Sequence, residues 1–287
     1  MHYIFELCIL NRTNYFKFND SFQWLLRVVL FPCYNGGMYS YQASCISNIG
    51  LLRSKNEDNF LFGHNININK EKRASFYQDE VCNGFLVCVF DGVGGGKDGE
   101  VASFIGAQRA QQIIDDMAMV DDRVLINLYK NINEEIINYS NTKNIDFCGT
   151  TAISLLLNEN TAKIVNVGDS KCFLIRKGQL LQLSKDHTDE EMLKSCGISN
   201  IKPSLTQFLG KSEEKLEIEP YINDIQTQSD DIFILCSDGL TSEVSNDDIC
   251  NIVNATENVE EINKNLEEKI INKGARDNFT IITIRIN

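Results

Sequence analysis

Two segments of this 287-residue chain end an apolar run in an aspartate followed by a glycine. In one, Phe85-Leu-Val-Cys-Val-Phe90 leads into Asp91-Gly92; in the other, Ile232-Phe-Ile-Leu-Cys236 leads through Ser237 into Asp238-Gly239. Each apolar run predicts a buried strand that holds its carboxylate rigidly, and the glycine is expected to let the backbone turn sharply beside it. If the strand ends are neighbours, the two carboxylates repel unless cations stand between them, so the chemistry indicated is divalent-cation binding by hard oxygens. Either segment alone is equally well explained as an Asp-Gly turn.

The surroundings of these segments narrow the choice. Asp91-Gly-Val-Gly-Gly-Gly96 continues through Gly99 into Glu100-Val-Ala-Ser103, a glycine-rich loop opening a helix but without the Lys-Ser/Thr ending of a P-loop. Upstream, Arg53 precedes the adjacent acids Glu57 and Asp58. The arginine offers a planar fork that matches phosphate oxygens, although a solvated turn would hold the same residue types. Near the C-terminus, Asp277-Asn278 stands just before a last apolar run.

The elements that must position these residues are read from periodicity. Strand-length apolar runs occur at 84–90, 152–157, 162–167, 172–176, 231–236 and 280–286, with another strand-like run at 39–47. Between Ala152 and Leu183 the strands follow one another through short polar turns, so they are expected to pair as antiparallel meanders. Leu125, Leu128, Ile132 and Ile136 keep helical spacing, as do Val259, Ile262, Leu266 and Ile270; Ser245 reads as a helix N-cap. Residues 189–228 are polar and irregular and read as a surface flap.

Composition bounds the setting. A formal charge of −13 excludes nucleic acid as the main partner, because a polyanion is met by a basic face. The ten cysteines form no CxxC pair, and Cys88, Cys172 and Cys236 sit in apolar runs, which points to a reducing, cytoplasmic compartment. Three scattered histidines, His2, His64 and His187, give no zinc spacing. Residues 1–37 differ from the rest: their apolar stretch around Trp24–Phe31 is too short for a membrane span and lacks signal-peptide features. They are expected to be an appendage or a mis-assigned start before a working domain at 38–287, the rival being a docking or membrane-surface helix.

Taken in order, these pieces resemble the metal-dependent protein phosphatases of the PPM class, also called type 2C, and their bacterial branch most. The matching segments are Gly50–Phe60, Phe90–Ser103, Gly149–Ala152, Val167–Ser170, Leu183–Thr188, Leu205–Gly210, Leu235–Thr241 and Gly274–Thr280. The resemblance implies an α+β fold: a four-layer αββα sandwich of two mostly antiparallel sheets flanked by helices, with the metal site at one end. It implies that Asp91 bridges two metals, that the Gly92 carbonyl faces one, and that Asp238 and Asp277 are ligands of one metal. Asp58, or Glu57 beside it, falls on the side of the other metal, and Asp169 matches an aspartate tied to a weaker third. Arg53 matches the arginine that grips the substrate phosphate, and Asn278 is expected to brace Asp277.

The implied cofactors are two Mn²⁺ or Mg²⁺ ions, which suit an all-oxygen ligand set. The implied reaction is hydrolysis of phosphoserine and phosphothreonine by a metal-bridging hydroxide, with no phosphoenzyme. Its partners would be phosphorylated proteins, targets of a serine/threonine kinase, met by a monomer without membrane insertion. A non-catalytic binding module of the same fold is the alternative. Val93 stands where the animal enzymes carry a histidine, as in bacterial members, which leaves the proton donor to the leaving group unassigned. His187 is expected to be structural, and the stretch Asp189–Ser204 looks shorter than in many bacterial relatives.

Overall fold

A computed structural model describes residues 40–69, 71–81, 84–93, 97–116, 122–158, 160–198, 201–210 and 218–287. The expectations for residues 1–37 and for Gly94–Gly96 of the glycine-rich loop lie outside these residues, as does most of the acidic cluster at 213–219.

The strands alternate so completely that both of their faces are apolar. In β4 (Phe85–Asp91), Phe85, Val87 and Val89 enter one core while Leu86, Cys88 and Phe90 enter another. Side chains of period two that are buried on both sides require a layer above and a layer below. The inner core lies between two sheets, and all pairings within each are antiparallel.

The six-stranded sheet contains β1 (Tyr41–Asn48), β3 (Arg73–Val81), β7 (Lys171–Arg176), β8 (Gln179–Gln182), β10 (Ile232–Cys236) and β11 (Phe279–Ile286), in the order β3-β1-β11-β10-β7-β8. The five-stranded sheet runs β2-β4-β5-β6-β9, with β2 at Asp58–Phe62, β5 at Ala152–Asn158, β6 at Thr161–Val167 and β9 at Tyr221–Gln226.

Helices close the outer faces. Helices α1 (Gly99–Asp116) and α2 (Asp122–Lys143) lay Ala102, Leu125, Leu128, Ile132 and Ile136 on the five-stranded sheet. Two short helices, α3 (Glu190–Ser195) and α4 (Asp238–Thr241), precede α5 (Asn246–Asn254) and α6 (Val259–Lys273). The last two cover the six-stranded sheet through Ile249, Val253, Ile262, Leu266 and Ile270. Ser245 caps α5 by accepting from the Asp248 N–H, as its position before two acids suggested. The αββα order is therefore the one the resemblance implied.

Two expectations about connectivity change. The hairpins β5–β6 and β7–β8 form as read, but β6 and β7 do not pair. The link Gly168-Asp169-Ser170 crosses from one sheet to the other, with Gly168 at φ 105°, a conformation that side chains rarely adopt. The stretch read as a flap also ends earlier, because Tyr221–Gln226 is a strand paired with β6. It is an edge strand with alternating exposure, and its polar residues hide the apolar alternation of a half-buried strand. Arg73–Val81, also unforeseen, is an edge strand of the other sheet.

Candidate metal centre

Strand register brings the acids together. Asp91 ends β4 and lies directly opposite Asp58, which opens β2. Asp238 follows β10 and Asp277 precedes β11, and those two strands are hydrogen-bonded neighbours. Asp169 sits on the crossover between sheets. One cavity of about 620 Å³ is lined by Arg53, Glu57, Asp91, Gly92, Asp169, Asp238 and Asp277. The two Asp-Gly segments are thus brought to a single site, together with the arginine.

The glycines serve a different purpose from the expected sharp turn. Neither Gly92 nor Gly239 has a left-handed φ. A Cβ at Gly239 would lie 1.9 Å from the Asn278 carbonyl oxygen, and one at Gly92 would lie 2.6 Å from the Gly99 carbonyl and 2.8 Å from that of Glu57. Glycine is required because backbone passes directly over backbone. That close approach draws the Asp238 and Asp277 segments together at one strand end, and the Asp91 and Glu57 segments at the other.

Glu57 and Asp58 part company. Glu57 lines the cavity, whereas Asp58 is 2% exposed and lies behind it. Its Oδ2 accepts from the Ser237 hydroxyl at 2.7 Å and from the Thr280 hydroxyl at 2.8 Å. The Thr280 oxygen in turn accepts from the Ser47 hydroxyl at 2.9 Å, and Ser47 Oγ accepts from Asn56 Nδ2. Asp58 therefore ties β2 of one sheet to the β10 and β11 ends of the other, and of the two adjacent acids it is Glu57 that faces the cavity. Burial pushes the Asp58 carboxyl up to about 7, against the pull of the two hydroxyls.

The open acids repel one another. Burial and the carboxylates of Asp58 and Asp238 hold the Asp91 carboxyl well above the usual range. Asp169 is pushed up to about 6, first by burial and then by Asp238. Two cationic side chains of the chain offset part of this charge: Arg53 Nη2 lies 2.6 Å from Asp277 Oδ2, and Lys202 Nζ lies 3.2 Å from Asp238 Oδ2. With the side chains so placed, no three acids among the described residues close around a single point. The donor set nevertheless fits hard divalent cations, being hard carboxylate oxygens and the Gly92 backbone facing one cavity.

Asn278 does not brace Asp277 with its side chain. Its main-chain N–H donates to Asp277 Oδ1 at 2.9 Å, while its amide holds the Arg53 loop. Oδ1 accepts from the Glu57 N–H, and Nδ2 donates to the Ile49 and Lys55 carbonyls. His187 stays off the cavity: its Nδ1 accepts from the Gly168 N–H at 3.2 Å, which steadies the crossover carrying Asp169. Burial, with Lys185 nearby, lowers its pKa.

Three contributors were not singled out from sequence. Thr151 lines the cavity, accepts from the Asp91 N–H at 3.3 Å and shares a 2.7 Å hydroxyl contact with Ser170. Its place in the Gly149–Ala152 segment was the available signal. Lys202 comes from the irregular stretch and gave none. Phe147 and Phe208, stacked edge to face at 5.1 Å, supply an apolar wall, and they are far apart in sequence.

Comparison with known proteins agrees with this arrangement. The family model described as "Protein phosphatase 2C" matches residues 46–192 and 201–279. The serine/threonine phosphatase stp of Listeria innocua is 28% identical over 256 residues, covering 83% of this chain and 93% of that protein. The serine/threonine protein phosphatase PstP of Mycobacterium tuberculosis is 26% identical over 82% of this chain and 43% of its own length. A crystal structure of the PstP catalytic domain in complex with two manganese ions matches with a TM-score of 0.70 at 26% identity, covering 86% of this chain and 99% of that one.

Proposed function

The chain belongs to the protein phosphatase 2C family, and we propose that it hydrolyses phosphoserine and phosphothreonine in proteins at the acidic cavity, with two Mn²⁺ or Mg²⁺ ions bound. The observation that carries this reading is that Glu57, Asp91, Asp169, Asp238, Asp277 and Arg53 line one cavity. Asp91, the Gly92 carbonyl, Asp238 and Asp277 would hold the ions, with Glu57 at the side of the second and Asp169 at a weaker third. When bound, such ions supply Lewis acidity and lower the pKa of water to near neutrality.

The chain's own residues do the rest. Buried strands fix the carboxylates before substrate arrives, so little reorganisation accompanies reaction. Arg53, which lines the cavity beside Asp277, would fork onto two phosphoryl oxygens and orient the ester for in-line attack. No cysteine lines the cavity, which supports hydrolysis without a cysteinyl-phosphate intermediate. Val93 lines the cavity and offers no proton, so the donor to the leaving alkoxide is left unassigned. A non-catalytic module would be expected to have lost one of these acids, and none is lost.

We place the activity in the cytoplasm. Cys45, Cys88, Cys172 and Cys236 are free and buried in the core, and no helix among the described residues is long and apolar enough to cross a membrane. The test is p-nitrophenyl phosphate hydrolysis with Mn²⁺, Mg²⁺ or EDTA. Turnover that needs Mn²⁺ or Mg²⁺ and is abolished by EDTA and by Asp238→Ala is expected. Folded protein with no turnover in either metal would overturn the proposal.

A further inference from the structure

Ten large apolar side chains are exposed among the described residues, and five of them fall in two short stretches. Leu51 and Leu52 are 62% and 71% exposed; Met192, Ile198 and Ile201 are 61%, 40% and 61% exposed. Isolated exposed apolar residues require no explanation. These two stretches, however, lead into the same place. Leu52 precedes Arg53 and Ile201 precedes Lys202, and both cations line the acidic cavity. Arg53 is bonded to Asp277 and Lys202 to Asp238, so the backbone that carries Leu52 and Ile201 leads directly to two side chains of the cavity.

The apolar surface continues inward. Pro203, Leu205, Phe147 and Phe208 form one side of the cavity, next to the carboxylates. A phosphoryl group needs the acidic floor with its cations and Arg53, and has no use for that side. An apolar wall in the same cavity as a phosphate site suits an apolar group carried by the molecule that carries the phosphate. In an extended peptide the neighbours of the phosphorylated residue lie about 3.5 and 7 Å along the chain, within reach of wall and rim. Charge points the same way. Flanking Lys or Arg would meet Arg53 and Lys202, flanking Asp or Glu would meet the floor acids, and apolar flanks meet neither penalty.

We infer that this wall and rim form a docking surface for the residues beside the phosphorylated one, selecting phosphoserine and phosphothreonine segments flanked by aliphatic or aromatic side chains. The inference rests on the phosphatase reading above and adds the substrate class to it.

Two phosphothreonine peptides of equal length and charge test it, one flanked by Leu and Val, the other by Ser and Gln. Each is assayed with Mn²⁺ against the full chain and against Leu52→Ser and Ile201→Ser. The unaltered chain should favour the apolar peptide about tenfold in kcat/KM, chiefly through KM, the effect of partly burying one aliphatic side chain. Each substitution should cut that preference about threefold. Both substitutions replace exposed side chains, so folding is not at stake. Equal rates on the two peptides with p-nitrophenyl phosphate still hydrolysed would overturn the docking surface alone. A preference that survives both substitutions would remove it from this rim. No turnover of the small ester would overturn the phosphatase reading and the inference with it.

Discussion

The floor of the cavity and the segment between β8 and β9 that overhangs it are built in opposite ways. Each acid of the floor stands at or beside the end of a strand or on a sheet crossover. Beneath the floor, Asp58, Ser237, Thr280, Ser47 and Asn56 form a continuous buried hydrogen-bonded chain. Among its described residues the overhanging segment carries only the six-residue helix α3, and no residue of that helix is buried. Bonds such as Asp189 to the Ser204 main chain and Thr206 N–H to the His187 carbonyl hold it, and further along the Leu209–Thr150 bridge, buried on both sides, anchors it to the core. Buried, mutually supporting groups over-determine positions, whereas exposed loop bonds open readily. The chemistry therefore rests on the rigid part, and the choice of substrate on the part that tolerates change.

The sharpest test of that division is Asp91→Asn. Losing a floor carboxylate should lower Mn²⁺-dependent turnover ~10³-fold or more, in the range of losing a transition-state charge partner. Manganese should also raise the melting temperature of the unaltered chain but not of this variant. A variant that kept both responses would move the chemistry off this floor. Next in size is Gly239→Ala. Its Cβ would meet a backbone oxygen at 1.9 Å, and backbone cannot step aside as a flexible side chain can. The expected cost is ~2–4 kcal/mol in urea unfolding, with Gly197→Ala as the control, since a Cβ there meets nothing within 4 Å and only its φ of 73° opposes alanine. Equal costs would mean that the close approach at Gly239 does not set the need for glycine there.

How far the sequence discloses this contrast follows from the same physics. Asp91 and Asp238 stood out because a buried strand writes its own signature, an apolar run that stops at a charge, whereas Asp277 was singled out only through the family resemblance. The choice between Glu57 and Asp58 was not, since adjacent strand residues face opposite ways and only the register with Asp91 decides which is covered. The crossover at Gly168–Ser170 looked like another short turn, because a link between sheets and a hairpin use the same residues. Tyr221–Gln226 was taken into the flap because an edge strand with one wet face carries polar residues at every second position. Lys202 and the Phe147–Phe208 pair left no trace at all, because nothing periodic places them; tertiary contact does.

A smaller effect tests the frame on which the Arg53 loop stands. Arg73 forks onto Glu267 at 2.8 and 2.9 Å, and Asn48, whose Oδ1 accepts from the Gly50 N–H, donates to the same carboxylate at 2.8 Å. Burial alone would raise the Glu267 carboxyl, but the fork and the amide outweigh it and hold its pKa below the usual value. A lowered folded-state pKa contributes stability that is present above the ordinary carboxylate value of about 4.3 and is lost as pH falls through the folded one. Glu267→Gln should therefore flatten the acid limb of stability between about pH 5 and 3, read as urea midpoints across that range. An unchanged slope would show that the fork does not hold this carboxylate in solution.

The smallest expected change in stability comes from Lys202→Gln, and it bears most directly on the comparison. The lysine side chain is 79% exposed and its partner Asp238 is 25% exposed, so their 3.2 Å contact is a screened surface pair. Such pairs contribute about 0–1 kcal/mol, and the urea midpoint should barely move. If the overhang only adjusts access to a floor that is already complete, kcat on p-nitrophenyl phosphate should change less than about threefold, while the apparent affinity for Mn²⁺ rises because a competing cation has left Asp238. A loss of kcat comparable to that of Asp91→Asn would instead make Lys202 part of the reacting centre. The division between a rigid chemical floor and an adjustable overhang would then be drawn in the wrong place.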